Sequence, residues 1–501
     1  MIAILADEAQ LPRATAVWGR ENRALPAPGR AALSWLTLAR LLGWEAEVHY
    51  PGDDAALGAA VRCAVIARDP ESLGAAEAEA LAARLEREPM LLVVPAPPPG
   101  SPLAGLAGAA ASGERVVTDR VRWHGPGGER EWRTWPTLTI RAIEAGGPAA
   151  PWATAGDAPL VVAREAGKGV VATLAAHPAE LADAAPSGSG LLKHLLTRGT
   201  PGEADWLELE GWVVTRLDNL GSSSSAHLDG WAHRSLAEAE LEAVGRDLAA
   251  REARITIGWV PGWVDDGDPA RGELRVDGEP VERVPGRVHP SPLVTYGSAE
   301  AAQDNPAALR GVGALRRAGA AALELQGHTH LRPLYADRGG GPYAAWAAAP
   351  NRHDGVGWYR ELEGLEPPPG EPGPVAAGLE LFARHLGGPP EALLCPGLAC
   401  SPPATETAAA AGLDLVAAET LALRVGERLA WCDHVPTPYA DDAGGHWLES
   451  GLPVIAHLYD RDLVLGGTGW LAERLDEWSA RGATRFADMR ELAAALDGGR
   501  P

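Results

Sequence analysis

Apolar positions recur in two rhythms over the first two hundred residues. Short runs at 2-IAILA-6, 45-EAEVHY-50, 63-CAVIA-67 and 90-MLLVVPA-96 have the length and β-branched content of buried strands. Between them, 29-GRAALSWLTLARLLGW-44 and 74-GAAEAEALAARLERE-88 repeat apolar residues three and four apart, the spacing of one helix face. The stretch 115-RVVTDRVRWHGPGGEREW-132 reads as a hairpin turning at Gly125 to Gly128, and 159-PLVVAREAGKGVVATLAAHPAEL-181 as two strands joined by Gly-Lys-Gly, before a helix at 189-SGLLKHLLTRG-199. This alternation predicts a layered α/β unit with a mainly parallel sheet.

Around residues 199–206 the chain turns polar and rich in turn formers, which predicts a linker and a division into 1–203 and 204–501. Strands then follow at 211-GWVVTRLDN-219, 254-RITIGWV-260 and 321-AALELQG-327, with helices at 235–253 and 306–320. The Pro/Gly stretch 365-LEPPPGEPGP-374 reads as a surface loop.

Composition narrows the partners. At 501 residues the chain exceeds what a single core usually organises. A formal charge of −23 disfavours nucleic acid and anionic membrane surfaces. No apolar run approaches the length of a membrane span, and the start MIAILADEAQLP lacks a basic leader and a long apolar stretch. Four cysteines in so long a chain are not a disulfide framework. The expectation is a cytoplasmic protein with reduced thiols, of unspecified oligomeric state. Two lysines, and 18 tryptophans against two phenylalanines, look more like the bias of a GC-rich genome than a set of sugar platforms.

In parallel α/β folds reactive side chains gather at the carboxyl ends of strands. Four polar clusters stand at such places: Asp218–Asn219, 259-WVPGWVDDGD-268, His328–Thr329–His330 and 456-AHLYDRD-462. On an extended segment His328 and His330 would point the same way and can share one ion; the competing reading is a hydrogen-bonded turn. Asp265, Asp266 and Asp268, flanked by Trp259 and Trp263, suit a cation, sugar hydroxyls or a solvated loop equally. Cys395, Cys400, Cys432 and His434 have zinc-binding side chains at unusual spacings.

The element order of the first half, with its closing "apolar run, G-K-G, apolar run", resembles the class I glutamine-amidotransferase-like fold. That resemblance implies a flavodoxin-like or amidotransferase-like layered domain, non-catalytic here because Cys63 lies inside an apolar run. The second half resembles the polysaccharide-deacetylase family through 213-VVTRLDN-219, 324-ELQGHTHLRP-333, 393-LLCPGLACSP-402 and 452-LPVIAHLYDRD-462. The resemblance implies a distorted (β/α) barrel with one divalent metal ion, zinc first. It makes Asp218 the base, His457 the acid, and Asn219, His328 and His330 the ligands, with Arg332 where the family has its second histidine. Trp259, Trp263, Asp265, Asp266, Asp268, Arg332 and Asp460 would then meet a small-molecule or oligosaccharide substrate. The implied reaction is removal of an N-acyl group, such as acetyl, from a sugar or polyhydroxylated metabolite. Two alternatives stand beside it: a glycoside hydrolase on the same barrel using paired carboxylates among Asp218, Asp265 and Asp266, and a catalytically inactive carbohydrate-binding or scaffold protein.

Overall fold

The computed structural model describes residues 1–12, 25–51, 60–182, 187–202, 205–298, 302–335, 341–349, 358–363, 367–426, 428–442 and 446–498. The first half builds a nine-stranded sheet from β1 (Ile2–Leu5), β2 (Ala46–His49), β3 (Cys63–Ile66), β4 (Leu91–Pro95), β5 (Ala109–Trp123), β6 (Arg130–Ala145), β7 (Ala150–Ala155), β8 (Ala158–Ala166) and β9 (Gly169–Leu174). Their order is β2-β1-β3-β4-β9-β8-β7-β5-β6. The parallel part is β2-β1-β3-β4-β9, and the rest is an antiparallel extension ending in the long β5–β6 ribbon. Cys63 is buried in β3, and burial pushes its thiol up to about 12, so it is no nucleophile at neutral pH.

The second half builds another sheet from β10 (Trp212–Leu220), β11 (Ile255–Trp259), β18 (Ala321–Leu325), β19 (Ala392–Leu394), β20 (Leu415–Ala417), β21 (Thr420–Val425), β22 (Arg428–Pro436), β23 (Val454–Tyr459) and β24 (Arg485–Ala487). The path runs β22-β21-β20-β19-β18-β11-β10-β23, with β24 also on β10. From β20 through β23 by way of β10 the pairs are parallel, while β21 and β22 are antiparallel. The ends of the path meet at one isolated bridge, Tyr439 to His457. Two small sheets lie between β11 and β18: β12 (Gly262–Val264) with β15 (Val288–Pro290), and a four-stranded one of β13 (Glu273–Val276), β14 (Glu279–Pro280), β16 (Val294–Gly297) and β17 (Gln303–Asp304).

The alternation of β10 explains where its polar end sits. Val213 and Leu217 join an apolar cluster with Leu241, Val244 and Val312 of the flanking helices. Val214 faces the other way, into a cluster that runs from Ile2 and Trp35 to Leu421, Leu423 and Leu492. Arg216 and Asp218 therefore continue an inward row along with Val214. The helix Ala27–Leu41 is buried on nearly every side because it packs on β21 and β22 as well as on its own sheet. Polar contacts cross between the halves too: Lys193 Nζ donates to the Gly451 carbonyl at 2.8 Å, Trp132 Nε1 to the Glu449 carbonyl at 3.1 Å, and Ser189 Oγ meets His434 Nδ1 at 3.0 Å. Among the described residues no helix is long and apolar enough to cross a membrane.

Candidate active site

Parallel pairing sets Arg216 beside His457 and Asp218 beside Tyr459, so these side chains share one face of the sheet. Arg216 donates through Nε to Asp218 Oδ1 at 3.0 Å and through Nη2 to Oδ2 at 2.6 Å, and through Nη1 to the Ala417 carbonyl at 3.1 Å. Both residues are buried. Burial pushes the Asp218 carboxyl up and Asp460 adds to the push, while Arg216 opposes it. Because both carboxylate oxygens accept from the guanidinium, the geometry favours the ionised form. The His457 Nδ1 donates to the Thr437 and Pro438 carbonyls at 3.1 and 2.9 Å. Burial, with Arg216 nearby, pulls this imidazole down to about 3, so it is neutral at physiological pH.

Asp460 follows directly after β23. Its Oδ1 accepts the Arg461 N–H at 2.8 Å and lies 3.3 Å from His233 Nε2. Burial pulls the His233 imidazole down, but the Asp460 carboxylate outweighs it and the net direction is up. Asp460 and Asp218 thus form a carboxylate pair other than the one expected among Asp218, Asp265 and Asp266, each beside a different partner, His233 and Arg216.

The histidine turn departs from the expectation of an extended segment. The strand β18 stops at Leu325, residues 328–330 form a bend, and His330 has φ 66°. That left-handed residue breaks the two-residue alternation, so the rings diverge. His328 Nδ1 sits 3.3 Å from Tyr343 Oη. His330 stacks on Tyr359 at 6.3 Å and feels Asp460. Burial pulls it down to about 4, and neither of its ring nitrogens has a hydrogen-bond partner among the described residues. Glu361 holds the bend, accepting from the His328, Thr329 and His330 N–H groups at 2.7, 2.9 and 3.1 Å, from Thr329 Oγ1 at 2.7 Å and from Tyr343 Oη at 2.7 Å. Arg332 is half-buried, with its N–H on the Trp358 carbonyl.

The residues expected to hold zinc do not fit it. Asn219 (φ 76°) donates its N–H to Gln326 Oε1 at 2.6 Å and accepts from Gln326 Nε2 at 3.1 Å through Oδ1, so that amide is occupied. With His328 and His330 turned apart, no group of three His, Cys, Asp or Glu side chains gathers to hold a metal among the described residues. Cys395, Cys400 and Cys432 are free and buried.

The acidic loop is equally remote from a ligand. Asp265 and Asp266 are buried and grip Arg283, with Asp265 Oδ1 2.7 Å from its Nε and Asp266 on its Nη2. Asp265 also accepts the Gly267 N–H at 2.9 Å, Asp266 the Asp268 N–H at 3.0 Å, and Asp268 the Ala270 N–H at 2.9 Å. Their carboxylates shape the loop backbone. Trp259 and Trp263 are both 0 % exposed, and Trp259 Nε1 donates to Ser291 Oγ at 2.9 Å; neither ring has a face to offer a sugar.

The aromatic surface near the paired carboxylates comes instead from Tyr459 of the AHLYDRD cluster and from three residues that the pattern reading did not single out, Trp231, Tyr359 and Tyr439. Trp231, Tyr359, Tyr439 and Tyr459 are half-buried. Trp231 meets Tyr459 edge-on at 5.3 Å and Tyr359 at 6.2 Å, and Tyr439 lies 5.9 Å from Tyr459. Arg461 stands over Trp231 at 5.4 Å. The adjacency of Tyr459 and Asp460 was a local signal; nothing in the sequence ties Trp231 or Tyr359 to them.

No family model and no curated protein matches the chain. Among solved structures it is similar to an exo-β-1,4-mannosidase from Opitutaceae bacterium strain TAV5, at 17% identity over 39% of this chain and 34% of that one with a TM-score of 0.26. A β-galactosidase from Bacillus circulans sp. alkalophilus gives 11% identity over 36% and 30%, TM-score 0.26. A β-galactosidase from Halorubrum lacusprofundi gives 17% over 41% and 31%, TM-score 0.27. The chain covers about a third of the length of these enzymes. The polysaccharide-deacetylase resemblance is corrected by the geometry of its site: His330 takes a left-handed turn and Gln326 occupies the Asn219 amide, so the metal centre it implies does not assemble among the described residues. The amide-hydrolysing function is corrected with it, and no family model supports the amidotransferase-like assignment.

Proposed function

We propose that the chain is a glycoside hydrolase acting on an oligosaccharide, with Asp218 and Asp460 as its carboxylate pair. The observation that carries this reading is the placing of these two buried carboxylates at the ends of adjacent parallel strands, beside four half-buried aromatic rings. Glycosidic cleavage needs one carboxyl group to protonate the leaving oxygen and a second, ionised, to attack the sugar or activate water. Arg216 keeps Asp218 ionised for the second role. The Asp460–His233 pair holds a proton 3.3 Å from a carboxylate oxygen and supplies the first. The rings offer apolar faces to a pyranose, and His330, with two unmet nitrogens, is placed to bond a sugar hydroxyl. On this reading the second sheet is a distorted barrel whose seam is the Tyr439–His457 bridge, with the substrate over its carboxyl end.

The test is reducing-end release by the purified protein from a panel of β-galactosides, β-mannosides and other oligosaccharides. Turnover should fall ~10²- to 10⁴-fold in Asp460→Asn and in Asp218→Asn, with the circular dichroism spectrum retained. Equal turnover in Asp460→Asn, or oligosaccharide binding with no release from any substrate, would refute the catalytic assignment.

A further inference from the structure

A cavity of about 520 Å³ opens in the first half over the carboxyl ends of β4 and β9. Its lining includes Pro95 and Ala96 after β4, Leu174 to His177 after β9, and Arg115 and Arg141 from the β5–β6 ribbon. This is the edge of a parallel sheet at which loops leave room for a ligand.

The two arginines are what the fold does not explain. Arg115 and Arg141 are direct cross-strand partners, and like charges placed opposite one another destabilise a ribbon. Elsewhere on the same ribbon Arg122 faces Glu131 and donates to it at 2.5 Å, and Arg120, which faces Arg133, has the same Glu131 carboxylate 3.7 Å away. Among the described residues no carboxylate pairs with Arg115 or Arg141. Glu180, the acid in the cavity lining, already accepts the His177 N–H at 3.0 Å. In a chain of net charge −23, two adjacent unpaired guanidiniums at the mouth of a cavity are a local exception.

We propose that this cavity binds a small polyanion, a phosphorylated or polycarboxylated molecule clamped between Arg115 and Arg141, with the His177 imidazole on the opposite side. Guanidinium groups match phosphate and carboxylate oxygens with paired N–H donors, and an anion between the two arginines replaces their repulsion with two attractions. The site lies in the other half of the chain from Asp218 and Asp460, so it stands or falls separately from the glycosidase reading.

Isothermal titration of the full chain with inorganic phosphate and with citrate, at fixed ionic strength, tests this. Saturable binding is expected for at least one of them, weakened about tenfold or more in Arg115→Ala and in Arg141→Ala and unchanged in Arg122→Ala. Phosphate alone assigns a phosphoryl ligand, citrate alone a carboxylate one. No saturable binding of either anion, or equal binding by the Arg115→Ala and Arg141→Ala proteins, overturns the proposal. Both substitutions lie on an exposed ribbon, and a melting temperature of the anion-free variants no lower than the parent's confirms that lost binding is not lost folding.

Discussion

Arg216 and Asp218 sit two residues apart on one strand and are joined by two hydrogen bonds of 3.0 and 2.6 Å inside the protein. Removing one member strands the other as an unpaired buried charge, which costs about 3–5 kcal/mol. Arg216→Leu should therefore lower unfolding free energy by that amount in urea titration. The double variant Arg216→Leu/Asp218→Leu should recover much of it. A double variant no better than the single would mean that the ion pair is not what the surrounding core depends on.

Glu361 is the second such keystone, since one carboxylate takes five donors from residues 328–330 and Tyr343. Glu361→Gln turns part of the acceptor into a donor and should cost about 2–4 kcal/mol. Faster amide hydrogen exchange at 328–331, measured by mass spectrometry, should accompany the loss.

The same bend is braced from behind. Gly378, on the helix Pro374–His385, lies against the backbone of Gly327 and His328, and a Cβ there would press on the Gly327 carbonyl oxygen and lie 3.3 Å from His328 Cα. Gly378→Ala should destabilise by about 1–3 kcal/mol. Thermal melting reads this directly, and an unchanged midpoint would show that the helix can shift without penalty.

Acid should unfold the protein through its buried histidines. His457 and His434 are pulled down to about 3 and His330 to about 4, in each case chiefly by burial, from an ordinary value of 6.5. Since their folded values are lowered, the unfolded chain takes up protons first as pH falls. Stability is whole above about pH 6.5 and is lost below it, by roughly 1.4 kcal/mol per pH unit for each histidine down to about pH 4. His434→Asn should reduce the steepness of the stability–pH curve in that window by about one proton.

If the rings flank a sugar subsite, Tyr359→Ala should raise KM about tenfold with kcat little changed, because it removes binding surface and no reacting group. A matched fall in kcat would place Tyr359 closer to the chemistry than the aromatic wall.

Much of the fold was legible from periodicity: β1, β3, β4, β9, β10, β11 and β18 fall where short apolar runs stand between turn formers. The site was legible only where it is local. Asp218 and Asp460 could be named because strand ends attract polar residues. Their coupling to each other comes from the pairing of β10 with β23, more than two hundred residues apart, and no local pattern encodes it. The histidine pair misled because a single left-handed residue, His330, reverses a direction that the spacing takes for granted. The aspartates of the 265–268 loop misled for another reason: their partner Arg283 lies 17 or 18 residues away, and an acidic loop with a buried cation looks in sequence like an acidic loop without one.

The packing of helix Ala27–Leu41 onto β21 and β22 has a consequence for how the chain is made. Its Trp35 and Leu38 faces are covered partly by residues translated some four hundred positions later. While the ribosome is still producing the second half, that helix has only its own sheet for cover and presents an apolar side to the cell. A nascent chain halted before β21 should therefore be a chaperone client, and one released after β22 should not.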